Sequence, residues 1–293
     1  QINVGSNAGA EVNRVAAGLM KPLQPGFFED EFGVIWDKSA GDDIGVPANT
    51  IVSEPDAELC RTIDPADPRR WANYEAIAAA AGDRYVLACF SSPLFQRAWF
   101  LRGMANWLED MALNEDFVNA MLDKLMTFSL GIVREAARRG ADGIFFYDDY
   151  AQQSGLLFSP DMFRQYFAQR LEKIFAAARH AGLDVFFHSC GKVALILEDI
   201  RSAGAQVFNP LQPEVMDVRQ VADQFAGRLA FYGGISTQKT MPFGKPADIH
   251  QEVKMMISLF KKQGGYILAP AHAIQIDVPI ENALALISAV RNQ

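Results

Sequence analysis

The chain reads as an α/β protein, a (β/α)8 barrel of the triosephosphate-isomerase type. Short β-branched and aromatic runs that end in Gly, Ser, Asn or Asp recur along it, and amphipathic stretches of about 12–22 residues follow them. Its 293 residues are also close to the roughly 250 that one such barrel uses. The runs Ile2–Val4, Tyr85–Phe90, Gly143–Tyr147, Asp184–Phe187, Gln206–Asn209, Leu229–Tyr232 and Tyr266–Ala269 are expected as strands. Most are apolar throughout, as parallel strands are when helices cover one side and a barrel interior fills the other.

Between the first two strands lies a long insertion, from about residue 8 to 83. Within it, Phe32–Trp36 with Asp37 reads as a hairpin strand and Asp64–Ala81 as a loop plus a helix. Such an insertion after a barrel strand forms a lid or wall over the active site. Farther on, Phe117, Met121, Leu122, Leu125, Phe128 and Ile132 lie at helical spacing, with Gly140 as the stop. Ser159-Pro160 is an N-cap with proline in the first turn; Met162, Phe163, Tyr166, Phe167, Leu171 and Ile174 form the stripe, and Gly182 ends it. Val193, Ile196, Leu197 and Ile200 repeat the pattern up to Gly204, and Ile249–Phe260 and Ile280–Val290 close the series. Seven units result where a closed barrel has eight, so the first strand is expected upstream of Gln1. The whole chain, 1–293, is expected as a single domain.

Composition narrows the functional classes. With 27 Lys+Arg against 35 Asp+Glu the net charge is −8, and no basic cluster stands out, which argues against nucleic acid or an anionic membrane as partner. No apolar run approaches the length of a bilayer span. Three scattered cysteines, Cys60, Cys89 and Cys190, make no disulfide framework and point to the reducing cytoplasm.

Barrels carry their chemistry at the C-terminal ends of the strands. His188-Ser189-Cys190 is the sharpest such end: residues two apart on a strand point the same way, so imidazole and thiolate can share one soft metal, zinc first. His272, after the last strand, supplies a third ligand and leaves a fourth position open. The competing reading is a buried small thiol beside a hydrogen-bonded histidine. Asp148-Asp149 follows the third strand; paired acids act as general acid/base, orient a metal-bound histidine, or hold a polar substrate, and one of them is expected to cap the next turn. Substrate contacts are expected from Asn7 at the first strand end, from Phe95 and Trp99 as an aromatic wall, and from Tyr147 and Tyr232; the aromatics fit equally well as core.

Several of these stretches are similar to one known family. F-G-V-x-W-D at Phe32–Asp37, S-P-x-x-F at Ser159–Phe163, H-x-C-G at His188–Gly191, G-G-I-x-T-Q at Gly233–Gln238 and P-x-E-N at Pro279–Asn282 resemble the uroporphyrinogen decarboxylase superfamily over nearly the whole chain. Within it the chain resembles the corrinoid-dependent zinc methyltransferases, and most closely the O-demethylase branch. The decarboxylases have an Arg-rich N-terminal segment and lack the H-x-C pair. In many methyltransferases of this branch the third ligand is a Cys in a G-C-x-x-P-like stretch; here Pro270-Ala271-His272-Ala273 puts a histidine there. The resemblance implies a barrel that moves a methyl group from a small, aromatic methyl ether to a corrinoid protein. The cobalamin would be carried by that partner, zinc by this chain. A cofactor-free decarboxylase and a non-catalytic binding barrel are the alternatives.

Overall fold

The computed structural model describes residues 1–4, 11–40, 45–261 and 264–292. They fall into two compact units. The first comprises Gln1–Asp148, Phe158–Val185 and Ser202–Gly204; the second comprises Asp149–Leu157, Phe186–Arg201 and Ala205–Gln293.

In the first unit the strands Ile2–Asn3, Leu87–Ser91 and Gly143–Tyr147 run parallel and side by side in that order. Leu87–Ser91 is buried at every position, as expected of a strand covered on both faces. It starts two residues later than the sequence suggests, because Tyr85 is half exposed and its hydroxyl donates to Asp184 Oδ2 at 2.6 Å instead of joining the ladder. The expected stripe buries Phe117, Met121, Leu122, Leu125 and Ile132 on a 24-residue helix, Glu115–Arg138. Gly140, at φ +72°, follows that helix as its stop. Ser159 caps as expected, its Oγ accepting from Met162 N at 3.2 Å. The helix it starts then widens into a π turn at Arg164–Ala168 before running on as Gln169–His180.

The insertion holds an antiparallel sheet in the order Met20–Gln24, Phe27–Asp30, Ile35–Asp37, Val46–Pro47. The expected hairpin strand begins at Ile35 rather than Phe32. Gly33, at φ +90°, turns the chain, and Asp30 Oδ1 accepts from the amides of Phe32 and Val34 at 2.9 and 3.0 Å. Asp30 Oδ2 takes Trp36 Nε1 at 3.1 Å and Arg97 Nη1 at 2.7 Å. The Arg97 guanidinium in turn lies 4.4 Å from the Phe32 ring centroid. One buried ion pair therefore ties this sheet to the helix Phe95–Arg102. The expected helix after it runs from Pro68 to Ala79, capped by the Asp67 carboxylate.

In the second unit the end of the strand Asp184–His188 pairs with Val207–Leu211; Ala230–Ile235 and Tyr266–Pro270 follow, all parallel. Gly233 and Gly234, at φ +122° and +98°, keep the third of these strands in the ladder through Ile235, three residues beyond its expected end. The Tyr266 hydroxyl donates to Gly233 O at 2.8 Å. The segment after His188 becomes a 3-10 turn at Ala194–Ile196 continued by a helix to Ser202. The helices Pro246–Phe260 and Ile280–Arg291 complete the unit. Asn282, 1% exposed, joins two of its segments by donating to the carbonyls of Met241 and Gly244. Among the described residues no helix is long and apolar enough to cross a membrane.

Candidate metal centre

His188 ends its strand, and the next four residues are fixed one by one. Ser189 N donates to Asn209 O at 2.9 Å and Cys190 N to Asp149 Oδ1 at 2.7 Å. Gly191 N donates to Gln212 Oε1 at 3.1 Å and Lys192 N to Gln152 O at 3.0 Å. Ser189 Oγ accepts from Tyr150 N at 3.0 Å. Gly191 sits at φ +89°, and a Cβ there would lie 2.8 Å from backbone atoms of Ala151 and Gln152, so a side chain has neither the conformation nor the space. This anchoring holds two donors in place: His188 Nε2 and Cys190 Sγ are 3.1 Å apart.

Asp149 joins them. Its Oδ1 is 3.6 Å from His188 Nε2, and one ligand atom from each of Asp149, His188 and Cys190 lies within 4.8 Å of the others. Burial lowers the His188 pKa, with Asp149 and Asn209 opposing the shift and His272 adding to it. The imidazole is thereby held neutral, the form that binds a metal. Burial, and then the Asp149 charge, push the Cys190 thiol well above its ordinary range. A divalent cation here would stabilise the thiolate and pair with the carboxylate in one step. The set of one imidazole N, one thiolate S and one carboxylate O suits zinc.

The other predicted residues are spread more widely. His272 is exposed and stands beside the group, its ring centroid 6.4 Å from that of His188. Asp148 is fully buried, and its two oxygens accept from Phe95 N at 2.9 Å and Gln96 N at 2.7 Å, at the start of the helix Phe95–Arg102. It is the acid that caps. Phe95 has no exposed surface and packs on Phe158 and Phe167 in the core, rather than on an open wall. Trp99 remains partly exposed against Phe100. The Tyr147 hydroxyl reaches Gln1 Oε1 at 3.4 Å, and Tyr232 is half-buried. Asn7 lies outside the described residues.

Two supporting residues went unrecognised in the sequence. Asn209 Oδ1 is 2.5 Å from His188 Nδ1, and Gln212 holds the Gly191 amide. The signal for Asn209 was present: it ends the next strand and stands in register with His188. It becomes visible only once the pairing is known.

Comparison with known proteins follows the same lines. The methylcobamide:CoM methyltransferase MtaA of Methanosarcina barkeri is 29% identical over 175 residues, 59% of this chain and 48% of that protein. A uroporphyrinogen decarboxylase of Coxiella burnetii is 24% identical over 218 residues, 72% of this chain and 56% of that one. The chain thus spans about half the length of the curated relatives it matches. The solved structure of a methyltransferase from Methanosarcina mazei superposes with a TM-score of 0.74 at 21% identity, over 96% of this chain and 82% of that one. This likeness agrees with the parallel strands above in giving a (β/α)8-type barrel fold. The uroporphyrinogen decarboxylase (URO-D) family model matches residues 38–293, and the chain belongs to that family.

Proposed function

We propose that this chain is a zinc-dependent methyltransferase that removes the methyl group of a small, aromatic methyl ether and passes it to the cobalt of a corrinoid partner protein. The observation that carries the reading is the Asp149–His188–Cys190 group, whose donors are gathered beside the end of the strand Asp184–His188. A relative named for methyl transfer between a methylcobamide and CoM supports the corrinoid half of it.

His188 and Cys190 supply two ligands, and the third comes from Asp149 or from His272. Zinc bound there supplies a Lewis acid for the oxygen that leaves when the ether loses its methyl group. The chain's own part is positional. Burial keeps His188 neutral, and four backbone hydrogen bonds hold the loop that carries Cys190. Asp149, a third of its side chain open to solvent, is the member that a bound substrate meets. Where His272 is the third ligand, the Asp149 carboxylate is placed to relay a proton from solvent to the departing phenolate. Tyr232, in the same unit as the metal group, remains the proposed contact for the ring.

Elemental analysis of the purified protein tests the metal, with about one zinc per chain expected. His188→Ala and Cys190→Ser should each lose it, and full metal content in both variants overturns the site. Whichever of Asp149→Ala and His272→Ala loses zinc identifies the third ligand. For the reaction, mixing with a corrinoid protein in the Co(I) state and a panel of methoxyarenes should give the methyl-Co(III) spectrum. No transfer from methoxyarenes, methylamines or methanol, together with CO₂ release from carboxylated tetrapyrroles, would install the decarboxylase reading instead.

A further inference from the structure

His188 can carry its single neutral-state proton on either ring nitrogen, and only an unprotonated Nε2 can offer its lone pair to a metal shared with Cys190 and Asp149. What decides the matter lies two strands away. Asn209 Nδ2 donates to the main-chain carbonyl of Tyr232 at 3.0 Å. A carbonyl oxygen only accepts, so the NH₂ end of the amide must face Tyr232 and the oxygen must face the imidazole. That oxygen only accepts as well, and it stands 2.5 Å from His188 Nδ1. The proton is therefore required on Nδ1. Nε2 keeps its lone pair, aimed where Cys190 Sγ lies 3.1 Å away. Both side chains are nearly closed to water, His188 being 8% and Asn209 7% exposed, so solvent does not compete for either bond.

We infer that Asn209 is a positioning residue that locks His188 in the Nδ1-protonated tautomer before any metal arrives, with the Tyr232 carbonyl setting the orientation of the Asn209 amide. The inference deepens the proposed zinc site and rests on that reading for its purpose. Metal-binding histidines are often fixed in this way by a carboxylate. Here the buried relay is neutral: it orients the ring without placing a further negative charge beside Asp149.

The test begins on the protein stripped of metal by a chelator. Long-range ¹H–¹⁵N correlation spectra of the imidazoles distinguish the two tautomers, and four histidines with His188→Ala as the assignment control keep the spectrum tractable. At neutral pH the His188 signals should show a protonated Nδ1 and an unprotonated Nε2. Asn209→Leu, similar in volume but without the acceptor, should lose this pattern and bind zinc about 10- to 100-fold more weakly. Asn209→Asp, which restores an acceptor, should recover the pattern. A protonated Nε2 in the stripped wild-type protein overturns the inference without recourse to any variant. So does an Asn209→Leu protein with unchanged tautomer and unchanged zinc affinity. If the wild type shows the Nδ1 pattern but does not take up zinc, the tautomer lock stands and the proposed function falls.

Discussion

Asp148 has no exposed surface, and each of its carboxylate oxygens receives a main-chain N–H at the start of the helix Phe95–Arg102. Asp149, one residue on, is partly open and lies beside His188 and Cys190. Different outcomes are expected on substitution. Asp148→Ala leaves two buried amides without an acceptor and should lower unfolding stability by about 1–3 kcal/mol, read from denaturant curves. Asp149→Asn keeps an oxygen for the Cys190 amide and should leave the unfolding midpoint within experimental scatter while zinc affinity falls. A large loss of stability in the second variant, with zinc retained, would reverse the two assignments. The sequence announced a pair of acids and the expectation that one of them caps. It did not say which, because that depends on where the helix Phe95–Arg102 begins relative to a strand some fifty residues later.

The elements show a similar division. The seven parallel strands were legible because strands covered along most of their length leave apolar runs, with Tyr266–Pro270 the half-buried exception, and His188 and Cys190 were legible from the two-residue alternation of a strand end. Of the sheet of the insertion, only the strand Ile35–Asp37 was. Met20–Gln24 carries one buried residue followed by four exposed ones and includes Pro22, so it offers neither alternation nor an apolar run. Its hold comes from Asp30 and Arg97, separated by 67 residues and joined at 2.7 Å. Removing one partner of such a buried pair strands the other charge, so Asp30→Ala and Arg97→Ala should each cost about 3–5 kcal/mol. A loss below about 1 kcal/mol in both would mean that water reaches the pair. At the metal loop, Gly191→Ala should both destabilise the protein and weaken zinc binding, because the new Cβ displaces the backbone of Ala151–Gln152 that holds Lys192. Retained zinc affinity would show that the loop can shift without moving Cys190.

For the molecule as a whole, the alkaline limit should be the sharper one for two buried groups. Burial raises the Cys89 thiol to about 11. Burial, and then Glu252, raise the Tyr266 phenol above its ordinary range. In the unfolded chain these groups release their protons near about 8.5 and 10, whereas the folded protein retains them. The unfolded state then binds fewer protons, so their contribution is complete below about pH 8 and declines as pH rises. Thermal midpoints should drop progressively from about pH 9 upward, and Tyr266→Phe should flatten the part above about pH 10. A wild-type midpoint that stays level to about pH 11 contradicts this. The Tyr232 carbonyl has a consequence of another kind. An instruction written in the main chain survives almost any exchange of the side chain, so an alanine scan read out by zinc affinity will pass over position 232 while registering position 209. Across relatives that keep the metal loop but differ in substrate, the residue at 232 should change with that substrate while an amide persists at 209, and two halves of one device will carry opposite evolutionary records.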